Sequence, residues 1–224
     1  MSGNEYHIGY LKWRKTIKLV KWNILPKIKL FGKINHFEDF YMHDIIEAYT
    51  KGRYYHTLRH INYMLTHVKD FELTKKEQAK LELAIWFHDF VYNSKKGDNE
   101  LISAIYFIKY AKTIGLKRKE IKEIKELIID TSHRNIPITK LGKIICDLDL
   151  REFVNDRQEL NSIEVRNEYS QLSNKKFYKG RIEFLRSLLN KKHIYHTKLY
   201  QGGMEDLAID NLMKELKILT NIYE

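Results

Sequence analysis

After residue 34 the apolar residues of this chain recur at helical spacing, and only two prolines and ten glycines stand among its 224 positions. Proline removes an amide donor and glycine raises the entropy cost of ordering, so their scarcity permits long helices nearly everywhere. Strand-like alternation is missing, and the spacing predicts an all-α chain. Phe37, Phe40, Tyr41, Ile45 and Tyr49 fit one helix ending near Lys51-Gly52. Thr57 is placed to cap a second, through His60, Ile61, Met64, Leu65 and Val68. Thr74 with Glu77 reads as a capping box for a third, continuing through Leu81, Ala84, Ile85 and His88. Helices are expected over 99–114, closed by Gly115, and over 117–131 with Ile121, Ile124 and Ile128 inward. Pro137 breaks the chain, and further helices are expected over 139–153, 155–172, 174–190 and 204–221.

Composition narrows the class. Hydrophobic residues make up 43% of the chain, enough for a packed core and against global disorder. The single cysteine, Cys146, excludes an internal disulfide framework and reads as a small buried hydrophobe. The net charge of +11 is uneven: residues 1–33 hold eight Lys or Arg against the one acid Glu5, leaving +4 for the rest. The expected organisation is a basic N-terminal extension, 1–33, followed by one helical domain, 34–224. Within the extension, Trp13, Ile17, Val20 and Ile24 stand among lysines. Such a helix either lies on anionic lipid or nucleic acid, or packs its apolar stripe on the domain with its lysines solvated. No apolar run approaches the roughly 20 residues that cross a bilayer, and lysines interrupt 17–30, so the cytoplasm is the expected location.

The chemistry-bearing residues cluster in three segments: His56-Thr57-Leu58-Arg59-His60, Phe87-His88-Asp89-Phe90 and Asp147-Leu148-Asp149. His88 follows Ile85 and Ala84 by three and four residues, which puts it on the inward face of its helix, with Asp89 near the helix end. A carboxylate buried beside an imidazole needs a strong partner, and a metal ion is one; a core histidine with a capping aspartate is the alternative. His56 precedes His60 by one helical turn, but a helix beginning at Thr57 leaves His56 just outside it.

A His, a His-Asp dipeptide and a distant Asp in this order resemble the metal-binding signature of the HD phosphohydrolase superfamily. Arg53-Tyr54-Tyr55-His56-Thr57-Leu58-Arg59-His60-Ile61, Phe87 to Tyr92, Asp98-Asn99-Glu100 and Ser103-Ala104 are similar to one bacterial group of HD phosphohydrolases. Asp147 to Leu150, Arg166 to Tyr169 and Gly180-Arg181 continue the likeness, which covers about 35–220 and leaves out the basic segment. The resemblance implies an HD-type helical bundle and a metal-dependent enzyme that cleaves a P–O bond in a small phosphorylated substrate, a nucleotide above all, with a metal-activated water. It implies His60, His88, Asp89 and one of Asp149 and Asp147 as ligands. Asp149 is favoured, and Asp147 would then orient a ligand imidazole.

Nitrogen and oxygen donors together suit manganese, iron, cobalt, nickel or zinc better than magnesium. Dinuclear relatives need two more histidines before the distal aspartates, and His133 alone stands there, so one ion per chain is expected. Asp98, Glu100 and His133 are the acid–base candidates, Asp98 and Glu100 being equally suited to the start of a helix. Arg53, Arg59, Arg166 and Arg181, with His56, are the candidates for holding phosphate. Besides catalysis, two other classes stay open: a silent metal- or nucleotide-binding sensor, and a protein acting through its basic N-terminus.

Overall fold

The computed structural model describes residues 3–23, 43–94, 97–155 and 157–223. Phe37, Phe40, Tyr41, Ile24 and the side chain of Val20 lie outside what is described. Among the described residues every regular element is helical and none is a strand. The chain divides into two compact units, Met1–Ile136 and Pro137–Glu224.

The first unit contains α1 (Gly3–Asn23), a helical stretch over 43–48, α2 (Leu58–His67), a 3-10 turn (Val68–Asp70), α3 (Lys75–Phe87), α4 (Asn99–Thr113) and α5 (Arg118–Asp130). At its centre is α3, buried at every position from Ala79 to Phe87, with α1, α2, α4 and α5 packed against it. A helix apolar on nearly all sides has to be surrounded in this way. Its start is the expected capping box: Thr74 accepts from the Glu77 amide, and the Glu77 carboxylate accepts from the Thr74 amide at 2.8 Å. Its two buried ionic residues have partners, since Lys80 pairs with Glu123 and Glu82 accepts from Gln78 Nε2 at 2.7 Å and from Thr16 Oγ1 at 2.7 Å.

The stripe on α1 faces α3. Trp13 and Ile17 are buried, and the Trp13 ring meets Trp86 edge-on at 5.4 Å. Thr16 donates to Glu82 and accepts from Trp86 Nε1 at 3.2 Å, joining the two helices by a buried polar contact. Lys12 donates to Asn62 O and Thr66 Oγ1, each at 2.8 Å, while Arg14, Lys15 and Lys18 stay exposed. Through Trp13, Thr16 and Ile17 the basic helix takes part in the core of the first unit, and the expected boundary at residue 33 lies outside the described residues. The division between the two units falls at Pro137, the chain break of the sequence.

The second unit contains α6 (Lys140–Asp149), a 3-10 turn (Leu150–Val154), α7 (Gln158–Glu168), α8 (Asn174–Leu189), α9 (Lys198–Gln201) and α10 (Glu205–Tyr223). Side-chain oxygens of Thr139 and Ser173 cap α6 and α8. Ile145, Leu148, Leu185, Tyr195, Tyr200 and Leu212 are fully buried, and Cys146 is buried among them. The four-residue α9 was not legible from spacing, which a single helical turn does not display.

Candidate metal centre

His60 lies in the first turn of α2, whose N-cap is Thr57, as the sequence predicts. The Thr57 hydroxyl accepts from the Arg59 amide at 3.3 Å, so the helix begins after His56 and leaves that histidine outside it. His88 is the C-cap of α3 and Asp89 follows it, so the turn leaving this buried helix delivers both side chains from one piece of backbone. His60 and His88 are each 1% exposed and Asp89 is 7% exposed, so all three donors are withdrawn from bulk water. Each presents a nitrogen or oxygen within 4.8 Å of the others.

The geometry fixes the His88 tautomer. Nδ1 lies 2.8 Å from the carbonyl of Ile85, which can only accept, so Nδ1 carries the proton and donates. In the neutral ring Nε2 then presents its lone pair, and it stands 3.0 Å from Asp89 Oδ2. Two donor atoms bound about 2.1 Å from one ion at right angles are about 3.0 Å apart, so the spacing fits neighbouring positions of a coordination shell. The rings of His60 and His88 have centroids 5.5 Å apart. Two imidazoles and a carboxylate are the donor set expected for a divalent transition metal.

The turn that follows is held from three sides. Arg53 donates to the carbonyls of Asp89 at 2.6 Å, Phe90 at 2.9 Å and His56 at 3.3 Å. One helical turn apart on α4, Asn99 and Ser103 each make two hydrogen bonds to backbone in this turn. Asn99 Oδ1 accepts from the Asn93 amide at 2.8 Å and its Nδ2 donates to the Asn93 carbonyl at 3.3 Å. Ser103 Oγ accepts from the Val91 amide at 2.9 Å and donates to the Val91 carbonyl at 3.3 Å. The motif residues Asn99 and Ser103 thus satisfy backbone, a role that spacing along the chain does not reveal.

The remaining candidates of the first unit are dispersed. His56 stacks on Tyr92, with centroids 4.1 Å apart, and stays outside the donor cluster. Arg59 is half-buried beside His60 in sequence. Asp98 is exposed at the N-cap position of α4, where its side chain makes no capping bond, and Glu100 sits in the first turn. His133 follows α5 with a φ of 54°; nearby, burial and then the Glu126 charge raise the Asp130 carboxyl above its ordinary value.

In the second unit the two aspartates differ sharply. Asp149 is the last residue of α6 and half-buried. Asp147 is wholly buried and accepts from the His196 amide at 2.6 Å, the Thr197 amide at 2.8 Å and the Thr197 hydroxyl at 2.6 Å. Burial pushes its carboxyl up to about 6 against these hydrogen bonds and with help from the Glu205 charge. Asp147 thus organises the chain before α9, with both carboxylate oxygens engaged by residues 196 and 197. Arg166 donates to the carbonyls of Tyr169 and Leu172 and to Asn174, closing the turn between α7 and α8. Arg181 forms a buried pair with Glu215 at 2.8 Å. Of the arginines expected to hold phosphate, Arg53, Arg166 and Arg181 therefore bind the chain itself. A guanidinium's preference for backbone carbonyls over ligand shows only once the fold brings those carbonyls near.

Among the described residues no helix is long and apolar enough to cross a membrane. No family model, curated protein or solved structure matches the chain.

Proposed function

We propose that this chain is a metal-dependent phosphohydrolase of the HD type, acting on a small phosphorylated substrate, with nucleotides the first class to test. The observation that carries the reading is the buried approach of His88 Nε2 to Asp89 Oδ2 at 3.0 Å, with His60 in the same cluster. A proton can join two of these donors; a metal ion joins all three. We assign Asp149 as the fourth ligand, on the order of residues in the sequence and its carboxylate character.

When bound, a divalent ion there supplies a Lewis acid that acidifies water and polarises a phosphoryl oxygen. The chain's own residues do the rest. His88 is held in the liganding tautomer by the Ile85 carbonyl. Burial of His60, His88 and Asp89 withdraws the donor set from bulk water. Arg59 and His56, beside the cluster in sequence, are the groups assigned to an incoming phosphate, while Asp98 and Glu100 at the start of α4 are assigned to proton transfer.

The test is release of phosphate or nucleoside from a panel of nucleotides and phosphate esters with manganese, comparing wild type with Asp89→Ala. Turnover by wild type alone supports the reading and names the substrate class. Turnover by both proteins sinks the site, and silence from a metal-loaded wild type moves the assignment to a sensor.

A further inference from the structure

The geometry points to Arg53 as a positioning residue, a guanidinium clamp that sets the backbone carrying Asp89 and so tunes the metal site, in place of a phosphate-binding role. The inference rests on the metal-site reading above.

Among the described residues Arg53 makes three hydrogen bonds, and all go to main-chain carbonyls. Nη1 donates to Asp89 at 2.6 Å and to His56 at 3.3 Å, and Nη2 donates to Phe90 at 2.9 Å. Two of these carbonyls belong to consecutive residues. Fixing the carbonyls of Asp89 and Phe90 fixes both peptide planes around Phe90 and, through the first, the direction in which the Asp89 side chain leaves the backbone. The His56 carbonyl lies just before the cap of the helix that carries His60. One planar cation therefore ties the loop before the first ligand to the turn holding the second and third.

Aromatic rings hold the cation in turn. The guanidinium carbon stands 5.0 Å from the Tyr49 ring centroid and 5.6 Å from that of Tyr92. Tyr49 is fully buried and donates its hydroxyl to the Trp86 carbonyl at 2.9 Å, inside the last turn of α3. The Tyr92 ring is also stacked by His56. Ring faces attract cations, and a flat guanidinium suits such a slot better than an ammonium. Lysine at this position retains the charge and loses the two-pronged reach to adjacent carbonyls. The clamp also explains why the His-Asp turn, which leaves the helix at its C-cap, keeps its carbonyls satisfied away from regular structure.

The experiment titrates metal-free full-length wild type, Arg53→Lys and Arg53→Ala with cobalt. It reads affinity and the visible absorption of the bound ion, and then measures amide hydrogen exchange at Phe90 and Val91 without metal. These two amides donate to Phe87 O and Ser103 Oγ, so their exchange reports the turn directly. Removing an outer partner of a ligand costs about 10- to 100-fold in metal affinity, and that is the loss expected for Arg53→Ala. Arg53→Lys should recover only a minor part of it, with a shifted cobalt spectrum. Added methylguanidinium should restore Arg53→Ala toward wild type, as a merely structural loss would not allow. Exchange at Phe90 and Val91 should quicken in both variants. Wild-type exchange in both, or a wild-type cobalt affinity and spectrum in Arg53→Ala, overturns the clamp. Absence of cobalt binding by wild type overturns the metal-site reading instead, and the exchange data still decide whether Arg53 holds the turn.

Discussion

Replacing Trp13 tests whether the basic N-terminal helix belongs to the core. Trp13 is 1% exposed, and its ring lies 5.4 Å from Trp86, 5.9 Å from Tyr110 and 6.5 Å from Phe87. Truncating a buried aromatic side chain of this size to alanine costs about 3–5 kcal/mol through lost burial and the cavity left behind. With a urea dependence of roughly 2 kcal/mol/M, a loss of about 4 kcal/mol lowers the unfolding midpoint by about 2 M. Phenylalanine gives a sharper comparison. Among the described residues Trp13 Nε1 is buried without a hydrogen-bond partner, and an unsatisfied buried donor costs about 1–3 kcal/mol. Trp13→Phe retains a ring among the three aromatic neighbours, removes that donor and leaves a smaller void. The two effects oppose, and the variant should unfold within about 1 kcal/mol of wild type. Urea melts followed by far-UV circular dichroism read both numbers. A cost below about 1 kcal/mol for Trp13→Ala would falsify the placement of α1 in the core of the first unit.

Other outcomes follow from the same contacts. Thr16→Val leaves the Glu82 carboxylate and the Trp86 N–H short of a buried partner, and should cost about 2 kcal/mol in a chemical melt; a neutral result contradicts the link between α1 and α3. Asp149→Ala should weaken metal binding far more than Asp147→Ala, and the reverse order in a metal titration exchanges their roles. In the second unit, burial pushes Glu215 upward, but the Arg181 charge and hydrogen bonds from Arg181, Gln158 and Ser162 hold it below the usual carboxylate range. A depressed carboxyl stabilises the fold above its unfolded value of about 4.3, and that contribution is lost as pH falls through the folded value. Arg181→Ala should therefore destabilise by about 3 kcal/mol at neutral pH and by less as the pH falls below about 4, whereas an equal cost at both pH values contradicts the pairing.

The local signals in the sequence were sufficient for most helices. The Thr74–Glu77 box, the Thr57 cap and the glycine closing α4 are written in adjacent residues, and the structure realises each, with Gly115 at a φ of 76°. Pro137 marked a break, and the two units part there. What depended on distant partners was not legible. The apolar stripe of α1 fits a membrane surface or a protein core equally well, and only α3, some 70 positions on, decides between them through the Glu82 and Trp86 contacts. The same limit separates the arginines. Their side chains reach far enough to find backbone carbonyls several turns away, so their roles follow from the loops beside them. His88 and Asp89 were legible because adjacency and helical phase place them together without help from the rest of the chain.

The central claim is the metal site, and the measurement closest to it is the metal content of purified wild type, His88→Ala and Asp89→Ala after loading with manganese or cobalt and removal of free ion. Wild type should retain a single ion and either variant none, with all three equally helical by circular dichroism. Equal metal in wild type and Asp89→Ala, or none in wild type, contradicts the claim.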